Sequence, residues 1–143
     1  MKQIYCTVSS EDKVQYLVKN HHIDRGHIFN SRDSSFHYNV MQATNGRGVD
    51  LVLNSLSGDL LHASWNCVAS FGTMVEIGKR DFQRRAKLAM EVFEDNRTFV
   101  GLDLGLVVKQ RPERAVEYVV PISTPLELDY VSLMLDQTRE ALC

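Results

Sequence analysis

The stretch Val49–Leu53 (VDLVL) is a nearly continuous apolar run of strand length, and it limits the chain more than any other feature. A run of that kind reads as a strand buried on both faces, the condition of a parallel sheet covered by helices. Its flanks agree. Asn45-Gly46-Arg47-Gly48 precedes it as a turn, and Ser57-Gly58 follows it as a helix start. A helix is expected over Asp59–Ala69, with Leu60, Leu61, Ser64, Trp65 and Val68 spaced for a buried side.

The same alternation runs through the neighbouring sequence. Lys2–Val8 (KQIYCTV) is β-branched and aromatic and ends at Ser9-Ser10. Ser9 with Asp12 reads as a capping box opening a helix Glu11–His21, which carries Val14, Leu17 and Val18 on one side. A short strand is expected at His27–Phe29 and a helix at Ser35–Thr44, with Phe36, Val40 and Met41 apolar. Phe71-Gly72 breaks the pattern before a strand Thr73–Ile77 that Gly78 closes. Ala86–Phe93 reads as helical and Thr98–Leu104 as a further strand. Gly105–Val120 has room for a helix, with Pro112 either near a helix start or breaking it, and Leu126–Leu142 is apolar at helical spacing. The expected fold is α/β: a Rossmann-like parallel sheet with helices on both faces, in a single partial domain covering residues 1–143.

Composition narrows the function classes. A formal net charge of −2 implies no broad basic surface for nucleic acid. No apolar run approaches bilayer length, and the polar start (Met1, Lys2, Gln3) is not a signal peptide. Cys6, Cys67 and Cys143 show no CxxC spacing and an odd count, which favours free thiols in a reducing, cytoplasmic setting. The five histidines lack metal-ligand spacing, so no metal site is expected.

In such sheets ligands bind at the carboxyl ends of the strands. Those ends carry Ser9-Ser10 with Lys13, then Asn30-Ser31-Arg32-Asp33, then Asn54-Ser55-Leu56-Ser57-Gly58, then Gly78-Lys79-Arg80-Asp81. One account is that loops are simply polar. The sharper one is a cleft for a phosphorylated, hydroxyl-rich ligand. Serines with the cations Lys13 and Arg32, and no acidic residue closing the first strand, favour a 2′-phosphate and hence NADP over NAD. The plainer reading of a lone Lys13 is a solvated helix lysine.

Four stretches make the pattern specific: TVSSEDK, HIFNSRDSSF, GRGVDLVLNSLSG with LLHASWNCVASFG, and EIGKRD followed by NRTFVGLDL. In this order and spacing, from about Ile4 to about Pro112, the chain resembles the enoyl-reductase domain of reducing polyketide synthases and animal-type fatty-acid synthases. That domain belongs to the medium-chain dehydrogenase/reductase superfamily, and the fungal highly reducing synthases look nearest. The resemblance implies NADPH-dependent reduction of an α,β-unsaturated acyl thioester. It implies that Ser9, Ser10, Lys13, Ser31 and Arg32 face the adenosine 2′-phosphate, and that Asn54, Ser55 and Leu56 line the nicotinamide-ribose side. Gly78 would let backbone approach the nicotinamide. Lys79 would be the acid that protonates substrate, with Asp103 as its partner. The plain alternatives are a surface turn lysine and a strand-end aspartate.

The resemblance also implies what these residues do not include. Lys2–Val8 matches the family's second strand, and no GxGxxG or equivalent pyrophosphate loop occurs in the sequence. In the strand order 3-2-1-4-5-6 the first strand is central, so the sheet is expected to lack it. Three outcomes are open: the flanking strands close on each other, another chain fills the gap, or the piece is marginally stable alone. Expected partners are a polyketide acyl thioester or its carrier domain, with a homodimer or a synthase chain. The strand matching Thr98–Leu104 often pairs across a dimer in that superfamily. The alternatives to a reductase piece are a degenerate module that docks on a synthase, or a non-redox polyketide-modifying enzyme using the remnant cleft.

Overall fold

The computed structural model describes residues 3–114. The expected helix over Leu126–Leu142 and the last part of Gly105–Val120, residues 115–120, lie outside the described residues. Within them, five strands alternate with helices. Strand β1 (Cys6–Val8) leads into helix α1 (Glu11–His21), β2 (Ile28–Asn30) into α2 (Ser35–Ala43), and β3 (Val49–Asn54) into α3 (Asp59–Asn66). Then come β4 (Val68–Glu76), the short α4 (Arg80–Gln83), β5 (Thr98–Gly101) and α5 (Leu104–Gln110).

Every strand pair is parallel, but the strands form two separate sheets, β1-β2 and β3-β4-β5. Parallel neighbours need crossovers, and the helices between successive strands provide them. The two sheets are bridged by one apolar cluster: Phe36 and Val40 of α2 pack with Ala63 of α3 and with Cys67, and Phe29 of β2 and Val49 of β3 close around them. Burial also pushes the Cys67 thiol up to about 12, so it stays protonated and inert. Helix α1 covers β1 and β2 through Val14 and Leu17 against Val8 and Ile28. On the larger sheet, Leu61 and Trp65 of α3 meet Val68 and Met74 of β4, with Val92, Phe93 and Phe99 around them.

Several expectations need correcting. The VDLVL run is a strand, but it is not buried on both faces: Leu51 is 66% exposed and Leu53 38% exposed. Among the described residues β3 pairs only with β4, and β1 only with β2. A groove of about 1030 Å³ lies between these two strands, lined by Cys6, Thr7 and Val8 on one side and Leu51, Val52 and Leu53 on the other. The apolar sequence of β3 thus faces an open slot.

The expected helix Asp59–Ala69 stops at Asn66, and β4 begins at Val68 rather than Thr73. Gly48 explains the early stop. It approaches Cys67 so closely that a Cβ would lie 2.5 Å from the Cys67 carbonyl oxygen, and Val49 N–H donates to that carbonyl at 2.8 Å. The β3–β4 pairing therefore starts at Val49↔Val68, shifts register, and resumes at Leu51↔Thr73. Phe71, at φ +63°, sits in that irregularity and is 79% exposed.

Smaller differences have local causes. The N-cap of α1 is Ser10, not Ser9, and its side chain makes no capping bond. Ala86–Phe93 is not an α-helix; a 3-10 turn spans Glu91–Asp95. Strand β5 ends at Gly101, because Asp103 caps α5 by accepting from Leu106 N–H at 2.9 Å.

Candidate functional site

The strand ends β3, β4 and β5 are stitched into one surface. Ile77 N–H donates to the Asn54 carbonyl at 2.9 Å, and Leu102 N–H donates to the Glu76 carbonyl at 2.9 Å. Beyond the strands, Gly58 N–H donates to Asp81 Oδ2 at 2.9 Å and Arg80 donates to Ser57 Oγ at 3.3 Å. The loop after β3 is therefore tied to the loop after β4 at two points besides the sheet.

Asn54 is 3% exposed. Its Nδ2 donates to the Leu56 carbonyl at 2.7 Å and to Glu76 Oε2. The other Glu76 oxygen accepts from Gly78 N–H. Gly78 has no room for a side chain, since a Cβ would meet Glu76 Oε1 at 2.6 Å and the Ser55 carbonyl oxygen at 3.2 Å. Its smallness is thus required by Glu76 and Ser55 packed against it.

Lys79 follows directly and is half exposed. Its Nζ lies 2.7 Å from Asp103 Oδ1. The hydrogen bond from Lys79, followed by that from Leu106 N–H, holds the Asp103 carboxyl below its usual range. Gly105 stands over this pair: a Cβ there would lie 3.2 Å from Lys79 Nζ. The two residues nominated for proton handling are adjacent, each at the end of a neighbouring strand.

At the smaller sheet, Ser31 is buried and its N–H donates to the Val8 carbonyl at 2.9 Å, joining the ends of β1 and β2. Asn30 Oδ1 accepts from Arg32 N–H at 3.1 Å, and Asn30 Nδ2 donates to Asp33 at 2.8 Å. Hydrogen bonds from Ser35, and then from Asn30, keep Asp33 below the usual carboxylate range. That carboxylate organises its own loop. Ser9 is half-buried and Ser10 exposed; the side chains of Lys13 and Arg32 form no ion pair among the described residues.

The sequence reading missed Glu76, and it placed Asp81 at a strand end without giving it a role. Glu76 carried a signal. It lies on the same face of β4 as Met74, two residues back, and Met74 is fully buried. A carboxylate on the inward face of an apolar strand is rare unless it is partnered. Glu76 is 1% exposed, and burial, opposed by the bonds from Asn54 and Gly78 and reinforced by the like charge of Asp81, pushes its carboxyl up to about 7.

That shift sets a stability difference with a definite sign. A carboxyl whose folded value is raised favours the folded state at low pH, and the benefit is lost as pH rises through the folded value. Relative to a Glu76→Gln variant, the wild-type chain is expected to lose stability between about pH 5 and about pH 8, by on the order of 3 kcal/mol. Urea midpoints of both proteins across that range check it, and parallel curves would contradict it.

No cluster of three or more His, Cys, Asp or Glu side chains among the described residues is placed to hold a metal ion.

Comparison with known proteins agrees with this architecture. The family described as "Zinc-binding dehydrogenase" matches residues 24–124. The highly reducing polyketide synthase lcsB of Purpureocillium lilacinum is 70% identical over 112 residues, covering 78% of this chain and 4% of that synthase. The highly reducing polyketide synthase FUM1 of Gibberella moniliformis is 61% identical over 115 residues, covering 80% of this chain and 4% of that synthase. This chain thus spans a small fraction of the curated relatives it matches. Among solved structures, the nucleotide-binding subdomain of the enoylreductase domain of PpsC from Mycobacterium tuberculosis superposes with a TM-score of 0.74 at 29% identity, covering 91% of this chain and 68% of that one. A putative enoyl reductase domain of polyketide synthase gives 0.71 at 28% identity, covering 91% and 66%. The chain therefore belongs to the zinc-binding dehydrogenase family and is homologous to the enoyl-reductase region of highly reducing polyketide synthases.

Proposed function

We propose that this chain is part of the NADPH-binding half of an enoyl reductase acting in polyketide biosynthesis, on an α,β-unsaturated acyl thioester carried within a synthase. The observation that carries the reading is the Lys79–Asp103 pair, 2.7 Å apart at the ends of adjacent strands and beside the buried Asn54–Glu76–Gly78 arrangement. A bound nicotinamide would supply hydride to the β-carbon. Lys79 would hold the proton for the α-carbon, with Asp103 fixing the ammonium's position. Asn54, Ser55, Leu56 and Gly78 would form the wall beside the nicotinamide ribose. Ser9, Ser10, Lys13, Ser31 and Arg32 would face the adenosine 2′-phosphate.

Cofactor preference tests the adenosine end. Calorimetry is expected to find NADPH bound in preference to NADH, because Lys13 and Arg32, neither ion-paired among the described residues, offer cations to the 2′ position and no acidic residue ends β1. Replacing both Lys13 and Arg32 by alanine should erase the preference. Equal binding of NADH, or a preference that survives the double replacement, would refute the assignment.

A docking module is the second reading, and it is favoured by the edges of β1 and β3 that pair with no other strand among the described residues. Each presents backbone N–H and C=O groups to the groove between the sheets, and such edges pair with an added strand. A chain of the synthase would supply the strand that the family's order places at this position. Strand β5, paired only with β4 among the described residues, has a free edge suited to a second copy.

A further inference from the structure

One group that the proposed chemistry leaves unused is a carboxyl 1% exposed at the carboxyl end of β4. We propose that Glu76 is a positioning residue, whose carboxylate locks the loop after β3 and the loop after β4 into one arrangement by accepting from Asn54 on one oxygen and from Gly78 on the other. The proposal rests on the reading of these loops as the wall of a nicotinamide site.

The geometry gives the lock its direction. Asn54 and Gly78 both donate, and they donate to different oxygens of Glu76. Only the ionised carboxylate accepts fully on both. A proton on either oxygen turns an O–H toward one of the two donors and weakens that contact. Asn54 has no easy way to adapt. Its Nδ2 also serves the Leu56 carbonyl at 2.7 Å, and rotating the amide would set Oδ1 against that carbonyl. Gly78 is held too, since its backbone is pressed between Glu76 and Ser55. Because Lys79 is the next residue, the direction in which its side chain leaves the loop depends on where Gly78 sits.

Asp81 of α4 acts on Glu76 as a like charge. Lys79, from the same loop, is engaged by Asp103 from the end of β5. Asn54, from β3, is uncharged. With burial the largest influence, the carboxyl is held up at about 7, so the lock opens and closes near neutral pH.

The experiment is a pH titration of the full chain followed by amide NMR. In the wild type, the Asn54 side-chain amide and the Gly78 backbone amide should move together with one midpoint near 7, both downfield as pH rises. The Glu76→Gln variant should show no such transition. Amides that titrate separately, or not at all, would overturn the inference, and this wild-type result stands even if the variant fails to fold.

A second arm reads NADPH affinity in both proteins across the same range. Wild-type affinity should rise through the shared midpoint, while Glu76→Gln should bind roughly tenfold more weakly at high pH and lack that step. The cofactor's own phosphate ionisation is common to both proteins, so the difference isolates Glu76. A wild-type lock whose titration leaves affinity unchanged would refute its role toward the cofactor. Co-titration in a chain that binds no NADPH would instead refute the nicotinamide-site reading and leave the loop lock intact.

Discussion

The purified 143-residue chain, given NADPH and a crotonyl-type thioester, is expected to consume the cofactor no faster than a protein-free control. Two losses act together. The sequence holds no glycine-rich loop, so the diphosphate lacks the cluster of backbone N–H groups that would fix the nicotinamide over its wall. Each charge-assisted bond forgone is worth about 1.5–3 kcal/mol, and a few of them turn a micromolar ligand into a millimolar one. The groove between β1 and β3 is also open, and the described residues include no second domain to enclose the acyl chain or exclude water from the hydride path.

Hydride transfer depends on holding two reactants at near-attack distance, a contribution of roughly 7–11 kcal/mol. Lys79 cannot compensate. Positioned acid catalysis adds only about 10²–10⁴-fold, and this lysine is half exposed. The assay follows loss of the reduced-nicotinamide absorbance with the chain alone, then with a reductase or synthase partner added. Turnover by the chain alone that disappears in Lys79→Ala would overturn the expectation. Turnover that appears only with the partner would support the docking reading, with the added chain completing the sheet.

Trp65→Ala is expected to destabilise the fold by about 3–5 kcal/mol, the largest stability effect of any single replacement considered. Trp65 is 1% exposed, and its ring centroid lies 5.1 Å from that of Phe93 and 5.8 Å from that of Phe99. It fastens α3 to β4 and to the segment between β4 and β5, so truncation opens a cavity where three elements meet. Domains of this size carry only about 5–15 kcal/mol in total. The loss would therefore unfold a large share of the molecules.

Trp65→Phe gives the contrast. The indole N–H finds no acceptor among the described residues, so a phenyl ring removes an unsatisfied donor while keeping most of the aromatic packing. Its cost should be less than half that of alanine. Urea denaturation of the three proteins decides the matter; equal midpoints for the alanine and phenylalanine variants would show that Trp65 acts other than by filling space.

Helix α1 was legible in sequence to its end residues, and α2 to within one residue, because each has apolar positions at helical spacing and polar flanks. Lys79 and Asp103 were named before any geometry, through the likeness of the EIGKRD and NRTFVGLDL stretches to a family. Spacing alone could not have paired them, since their contact depends on β4 and β5 lying side by side.

What the sequence determined by itself was local and periodic: which segments become strands, which become helices, and which residues stand at the strand ends. Only the tertiary structure decided matters that turn on how distant segments meet. The run Val49–Leu53 has the composition of a doubly covered strand, yet Leu51 and Leu53 face a groove, because coverage depends on neighbours that composition does not specify. The start of β4 at Val68 follows from the close approach of Gly48 to Cys67, a contact between segments separated by a strand and a helix. Strand alternation puts Glu76 on the inward face with Met74, but it does not name the groups that meet its carboxyl. Its weight in the site comes from being sealed between Asn54 and Gly78, where burial opposes its charge and two hydrogen bonds favour it, and that balance exists only once β3 and β4 have paired.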